Sequence, residues 1–164
     1  MKYVIPVIII FVFIIGLVCL LIVGRRKPEV EVHSIQSMSL FYTKGYMMNA
    51  DVRYSLECKD TCIAKVKKYL VPEEDTVEVK VDEEFVQKVM DIVTKYSVGS
   101  WDGFHESDHN VLDGDSFSFS LVTQEGESVS ASGYMSWPKN YRNVVNELDD
   151  LFQPLAPDPV EEDS

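Results

Sequence analysis

The chain has 164 residues, 46% of them apolar, and its 27 Asp and Glu against 15 Lys and Arg give a formal net charge of −12. All of the acids lie beyond Lys27, so residues 28–164 hold 11 bases against 27 acids and carry −16. A domain this acidic is unsuited to contact a phosphate backbone, which argues against nucleic acid as a partner. The composition excludes collagen, coiled coil and wholesale disorder, and the acidic part has the usual size of one domain.

The N-terminus contains an apolar segment long enough to cross a bilayer. Tyr3–Val23 holds no charged residue, and the bases Arg25–Lys27 follow it as a stop. A lipoprotein signal would need a small residue directly before Cys19, where this chain has Val18, and a small-x-small cleavage site is missing as well. We therefore predict an uncleaved transmembrane anchor over residues 1–27.

The remainder divides into three parts. Residues 28–33 read as a short polar stalk, residues 34–153 as one globular domain, and residues 154–164, rich in Pro and acids, as a disordered tail. The basic flank taken alone places the domain in the cytoplasm, whereas a signal anchor places it outside. Cys58 and Cys62 bracket a predicted turn, and they are either two unrelated thiols or a disulfide of an oxidising compartment.

Alternation of apolar and polar residues predicts four strands in the first half of the domain. It is clearest between Met48 and Leu56, where every second residue is apolar. The four predicted strands are Ile35–Tyr42, residues 46–57, Ile63–Leu70 and Val77–Val81.

Two amphipathic helices are predicted from apolar residues at three- and four-residue spacing. The first covers residues 83–97, with Asp82 as its N-cap and Gly99 as a suitable stop. The second opens at Trp137-Pro138, because proline is favoured in a first turn. Its apolar stripe consists of Tyr141, Val144, Val145, Leu148, Leu151 and Phe152.

Between the helices, the sequence predicts a hairpin with a defined register. A three-residue loop, Gln124–Gly126, with Gly126 in the left-handed conformation, aligns large with small residues on one face. The apolar pairs are Phe117 with Gly133, Phe119 with Ala131 and Leu121 with Val129. The other face then pairs Ser118 with Ser132 and Ser120 with Ser130, which we interpret as a solvated outer sheet face and not as a ligand site.

The predicted order is ββββ-α-ββ-α, in which strands run together and helices come singly. This order is typical of the α+β class, with an antiparallel sheet packed on one face by two helices.

One segment, residues 101–115, carries possible metal chemistry. It contains His105-Glu106-x-x-His109, the zinc-hydrolase pattern, in which two His one helical turn apart bind the metal and the Glu activates its water. Glu147 on the last helix is the best-placed third ligand. The pattern requires a helix, however, and the Gly, Asp, Ser and Asn of this segment favour a surface loop.

A calcium loop is the other metal hypothesis, since hard oxygen ligands are abundant in the same segment. The EF-hand spacing fails, because a loop starting at Asp108 would need Glu where the chain has Phe119. An irregular site stays open, with Asp102, Asp108, Asp113 and Asp115 as its oxygen donors. We assign no catalytic, cofactor-binding or metal-binding residue.

The second half of the domain contains five distinctive motifs. They are Trp101-Asp102-Gly103-Phe104, Leu112-Asp113-Gly114-Asp115-Ser116-Phe117, Gly126, Ser132-Gly133 and Trp137-Pro138-Lys139-Asn140-Tyr141. With these motifs the chain resembles an uncharacterised family of small envelope proteins of anaerobic Gram-positive gut bacteria. The resemblance spans residues 34–153 and implies export behind a lipoprotein signal or membrane anchor, with no activity assigned.

The resemblance favours the outer side of the cell membrane and decides the orientation. We therefore expect a single-pass membrane protein, held by residues 3–23, with an extracytoplasmic non-catalytic domain that binds an unknown envelope protein or ligand. The alternative is a minimal zinc-dependent hydrolase that uses His105, Glu106 and His109.

Overall fold

A computed structural model describes most of the expected globular domain. The predicted anchor lies outside the described residues, as does most of the predicted tail. Among the described residues, no helix is both long enough and apolar enough to cross a bilayer. The described ranges are 29–43, 50–108, 110–111 and 113–156.

These residues form seven strands, two α-helices and three short 3-10 helices, joined by loops and turns. The 3-10 helices are Glu73–Asp75, Val98–Trp101 and Gln153–Leu155. In chain order the other elements are β1 (Ser37–Thr43), β2 (Asp51–Cys58), β3 (Cys62–Lys67), β4 (Val77–Val81), α1 (Glu83–Lys95), β5 (Phe104–Ser107), β6 (Ser116–Val122), β7 (Ser128–Tyr134) and α2 (Tyr141–Phe152).

The strands form one sheet in the order β4-β3-β2-β1-β6-β7-β5. This confirms the α+β class with two helices, but the sheet is mixed and not purely antiparallel, because β5 runs parallel to β7. Strand β5 lies in the segment that we expected to be a loop. Its four residues, Phe104–Ser107, are too few and too polar to show the alternation that reveals a strand. Two hydrogen bonds position it, from Gly103 N to Ser130 O (2.9 Å) and from Asp108 N to Tyr134 O (2.9 Å).

The predicted register of the β6–β7 hairpin is confirmed. Phe119 lies opposite Ala131, and the serines of the two strands face each other as expected. Gly126 has φ of 87°, the left-handed value required by the three-residue loop, and its N–H bonds Thr123 O at 3.1 Å. Turn chemistry and side-chain size therefore determined this register from local sequence alone.

Both helices pack on the same face of the sheet, which we call the inner face. The Phe152 ring of α2 stacks on Tyr54 at 5.0 Å and meets the edge of Phe85 of α1 at 5.1 Å. At the other end of the core, Trp101 packs against Phe119 with ring centroids 5.3 Å apart. Aromatic pairs of this kind contribute about 0.5–1.5 kcal/mol each beyond their buried area.

Helix α1 begins as predicted and ends earlier than predicted. Asp82 is its N-cap and accepts a hydrogen bond from Phe85 N at 2.9 Å. The helix ends at Lys95, and Ser97 turns the chain with φ of 52°. Gly99 is needed for a different reason, since a Cβ at this position would lie 1.8 Å from the backbone oxygen of Val30. The absence of a side chain at Gly99 leaves room for the backbone of the N-terminal segment at Val30.

The packed chain extends beyond residues 34–153 at both ends. Val32 is buried and Val30 packs against the core, so this part of the expected stalk belongs to the domain. At the C-terminal side, Gln153–Leu155 forms a 3-10 helix and Ala156 is buried.

Candidate functional site

The face of the sheet opposite the helices carries a row of serines. Ser55, Ser39, Ser120 and Ser130 are direct cross-strand neighbours on β2, β1, β6 and β7. We call these four residues the serine row. Three of them are exposed and Ser55 is half-buried, so this part of the face is open to solvent.

A second row runs beside the serine row and includes one arginine and one histidine. Its members are Arg53, Phe41, Ser118, Ser132 and His105, on β2, β1, β6, β7 and β5. The Arg53 guanidinium lies 5.0 Å from the centre of the Phe41 ring, and His105 Nδ1 lies 2.8 Å from Ser132 Oγ. We call the two rows together the outer face.

Six of the nine residues of the outer face are serines, which are short, neutral hydrogen-bonding groups. Each serine hydroxyl donates one hydrogen bond and accepts others, and its short side chain loses little entropy when a partner fixes it. At the β3–β4 side of the face, Lys65 and Glu78 form an ion pair of 2.7 Å. The result is a polar surface, with Phe41 and Arg53 as its larger side chains.

Two residues of the zinc-hydrolase pattern, His105 and Glu106, lie on strand β5 and not on a helix. Successive side chains of a strand point to opposite faces. His105 contacts Ser132 on the outer face, whereas the Glu106 carboxylate accepts a hydrogen bond from Ser136 Oγ at 2.9 Å. Glu106 is therefore turned away from any water that His105 would help to hold, and His109 lies outside the described residues.

The expected third ligand, Glu147, is separated from His105 by the sheet. It belongs to α2 on the inner face, where its Oε1 accepts hydrogen bonds from Lys95 Nζ (2.6 Å) and Tyr96 OH (2.5 Å). The Lys95 hydrogen bond, followed by that of Tyr96, lowers the pKa of the Glu147 carboxyl below its ordinary value. Glu147 thus joins α2 to the end of α1.

Two of the four aspartates of the calcium hypothesis, Asp102 and Asp108, accept hydrogen bonds from nearby groups of their own chain. Asp102 Oδ1 accepts a hydrogen bond from Ser130 N at 3.1 Å, and Asp108 Oδ1 accepts two from Asn110 at 2.9 Å. Over the ranges that the structure describes, no three His, Cys, Asp or Glu residues come together as a metal site would require. These aspartates hold the ends of β5.

Cys58 and Cys62 lie opposite each other at the tip of the β2–β3 hairpin and form a disulfide, with their Cα atoms 4.1 Å apart. This decides between the two readings that the spacing left open. The disulfide lines a shallow groove of about 460 Å³ together with His33, Lys80 and Met90. Sequence reasoning missed this groove, because it forms only when the N-terminal segment lies beside α1.

A buried ion pair lies at one end of β2 and β3. Lys67 is 2% exposed, and its ammonium donates to the backbone oxygen of Asp51 at 3.0 Å and to Asp51 Oδ1 at 2.8 Å. Partial burial would by itself raise the pKa of Asp51, but the hydrogen bond and charge of Lys67 outweigh it, and the pKa is lowered. The sequence contains no signal for this buried pair.

Together, the fold and its surface define an α+β domain with one helix-covered face and one open, serine-rich face. No protein-family model matches the chain, and no curated protein is significantly similar to it.

Proposed function

We propose that this protein is a membrane-anchored, non-catalytic binding module of the cell envelope, and that it contacts its partner through the outer face. The observation that carries this proposal is the serine row. An exposed sheet face is commonly solvated by long charged side chains, whereas Ser39, Ser120 and Ser130 leave the backbone of three adjacent strands open to close approach. Ordering such short side chains costs little, which favours binding.

The envelope location is supported by the apolar segment Tyr3–Val23, the resemblance described above and the disulfide. Disulfides persist in oxidising compartments and are rare in the cytosol. Cys58 and Cys62 are held opposite each other by the register of β2 and β3. A domain outside the membrane would keep this bond oxidised.

The state of the disulfide in the native protein provides the first test. Alkylation of the full-length chain, denatured without reductant, is expected to modify only Cys19, and alkylation after reduction all three cysteines. Replacing Cys58 and Cys62 by serine is expected to lower the free energy of unfolding by about 2 kcal/mol, because the closed loop is short. Modification of all three cysteines without reductant in protein taken from the native cell would contradict an extracytoplasmic domain.

Binding through the outer face is tested by site-specific photo-crosslinking in intact cells. A photoreactive amino acid at Ser120 is expected to give a discrete crosslinked product, because Ser120 lies in the middle of the serine row. The control places the same amino acid at Asn146, an exposed position on α2. Adding Ser39→Arg, which places a long charged side chain beside Ser120, is expected to remove the product. Equal crosslinking from both positions would refute the proposal.

A further inference from the structure

Strand β4 is an edge strand of the sheet. It pairs with β3 on one side, and on its other side it pairs with no strand of the described chain. A strand edge presents a row of free N–H and C=O groups that can pair with a further strand. Edges are often protected by proline, by a bulge, by great shortness or by charged side chains, especially lysine. Charges of one sign repel a second strand, whereas Glu78 and Lys80 of β4 have opposite signs and can pair with it. Val77–Val81 contains no proline and pairs regularly with β3 over all five residues.

The sequence of β4 alternates strictly between valine and charge. Val77, Val79 and Val81 point to the inner face and are only half-buried, whereas Glu78 and Lys80 are exposed on the outer side. The helix layer therefore leaves apolar surface uncovered at this edge. A strand added to β4 would bury that surface together with the free backbone groups.

We infer that β4 pairs with the β4 strand of a second copy of this chain. The pairing is antiparallel about a two-fold axis through Val79. Val79 then lies opposite Val79 of the partner subunit, and Val77 opposite the partner's Val81. Glu78 lies opposite the partner's Lys80, and by symmetry Lys80 lies opposite the partner's Glu78. Every apolar residue meets an apolar residue, and both charged pairs are attractive.

The alternation leaves one acceptable register. Centring the pair on Glu78 would place two glutamates directly opposite each other, and centring it on Lys80 would do the same with two lysines. A shift by one residue would turn the valines of one copy toward the outer face of the other. Only the register centred on Val79 joins opposite charges and continues both faces of the sheet.

The same symmetry suits two copies anchored in one membrane. A two-fold axis perpendicular to the sheet keeps the helices of both copies on one side of a continuous fourteen-stranded sheet, twice the seven strands of one copy. Segment 29–33 also lies on that side, where Val30 packs over Gly99 beside α1. Both chains therefore enter their domains from the same side. The inference rests on the membrane anchor of the proposed function, but not on the outer face as a binding site, because the edge and the serine row are different surfaces.

The pairing of two five-residue strands buries less surface area than a stable interface, which buries about 1,000 Å² or more. Anchoring in a membrane raises the effective concentration of the two copies and compensates for weak contacts. The test therefore uses the full-length chain reconstituted in phosphatidylcholine vesicles. Self-association is measured by Förster transfer between donor- and acceptor-labelled copies as the ratio of protein to lipid is varied.

Charge reversal tests the register. Lys80→Glu and Glu78→Lys are each expected to weaken self-association by about tenfold, since each creates two like-charge pairs per dimer. The double variant Glu78→Lys/Lys80→Glu restores opposite charges between the copies and is expected to associate within about threefold of the natural chain. The control Lys88→Glu disrupts the exposed Glu84–Lys88 ion pair of α1 and is expected to leave association unchanged.

Cysteine crosslinking provides a second measurement without altered charges. In a Cys19→Ser background, two chains that both carry Val79→Cys are expected to form an intermolecular disulfide at this position. Opposite residues of paired strands have Cβ atoms about 4.5–5.5 Å apart. Val77→Cys is expected to crosslink only when mixed with Val81→Cys. A chain that remains monomeric at high protein-to-lipid ratio would overturn the inference. Folded charge variants that associate like the natural chain would do the same, as would a double variant that is not rescued.

Discussion

Replacing Asp51 by alanine is expected to lower the free energy of unfolding by about 3 kcal/mol, because it leaves the Lys67 ammonium buried without its counter-charge. Lys67 is 2% exposed and the Asp51 side chain 18% exposed, so water cannot fully replace the lost carboxylate. Chemical denaturation monitored by tryptophan fluorescence measures the effect, since Trp101 is buried in the core.

The matched control is the exposed pair between neighbouring strands, Lys65 and Glu78. Glu78→Ala is expected to cost less than about 1 kcal/mol, because surface ion pairs are screened by water. The double variant Asp51→Ala/Lys67→Met is expected to recover most of the loss, since a buried pair can be replaced by apolar atoms. A cost for Asp51→Ala no larger than for Glu78→Ala would show that Lys67 does not depend on Asp51.

The ion pair of Asp51 and Lys67 also affects how the stability of the fold depends on pH. Because the pKa of Asp51 is lowered in the folded chain, its contribution to stability is fully present above the unfolded pKa of about 3.9. That contribution is lost as the pH falls through the folded pKa. Asp51→Ala is therefore expected to reduce the acid sensitivity of unfolding below about pH 4.

Replacing Gly133 by alanine is expected to cost about 3 kcal/mol, because the added methyl has no room. A Cβ at this position would lie 2.0 Å from the backbone oxygen of Ser136 and 2.6 Å from Cε1 of Phe117. The Phe117 ring cannot move aside freely, since it packs against Tyr141 with ring centroids 4.6 Å apart. Thermal or chemical unfolding measures the loss.

Gly126→Ala is the control for glycine replacement. Its φ of 87° makes alanine unfavourable, but no atom lies within 4 Å of the added Cβ. We expect a cost of about 1 kcal/mol, from backbone conformation alone. Equal costs at the two positions would show that the contact of Gly133 with Phe117 does not determine its identity.

Much of the fold could be predicted from interactions between residues that are close together in the sequence. The alternation at Val77–Val81 and the cap at Asp82 each depend on neighbouring residues only, and the structure has both. The β6–β7 register follows from the turn at Gly126 and from the size of facing side chains. Such features are predictable because the interactions that select them involve residues a few positions apart.

The outer face could be predicted from the sequence only in part. The facing of Ser118 with Ser132 and of Ser120 with Ser130 was predictable from one hairpin. The extension of the row to Ser39 and Ser55 was not, because it depends on β6 pairing with β1, more than seventy residues earlier in the chain. Long-range strand order has no local signal.

By itself, the sequence determined the α+β class, the two amphipathic helices and the apolar N-terminal segment, because each rests on a periodic or continuous run of one residue type. The tertiary structure alone decided that β5 is a parallel strand, that His105 and Glu106 point to opposite faces, and that Cys58 is bonded to Cys62. It also decided the burial of Lys67. The disulfide depends on the register of one hairpin. The other features arise where separate segments meet, and their free energies come from contacts that neither segment contains alone.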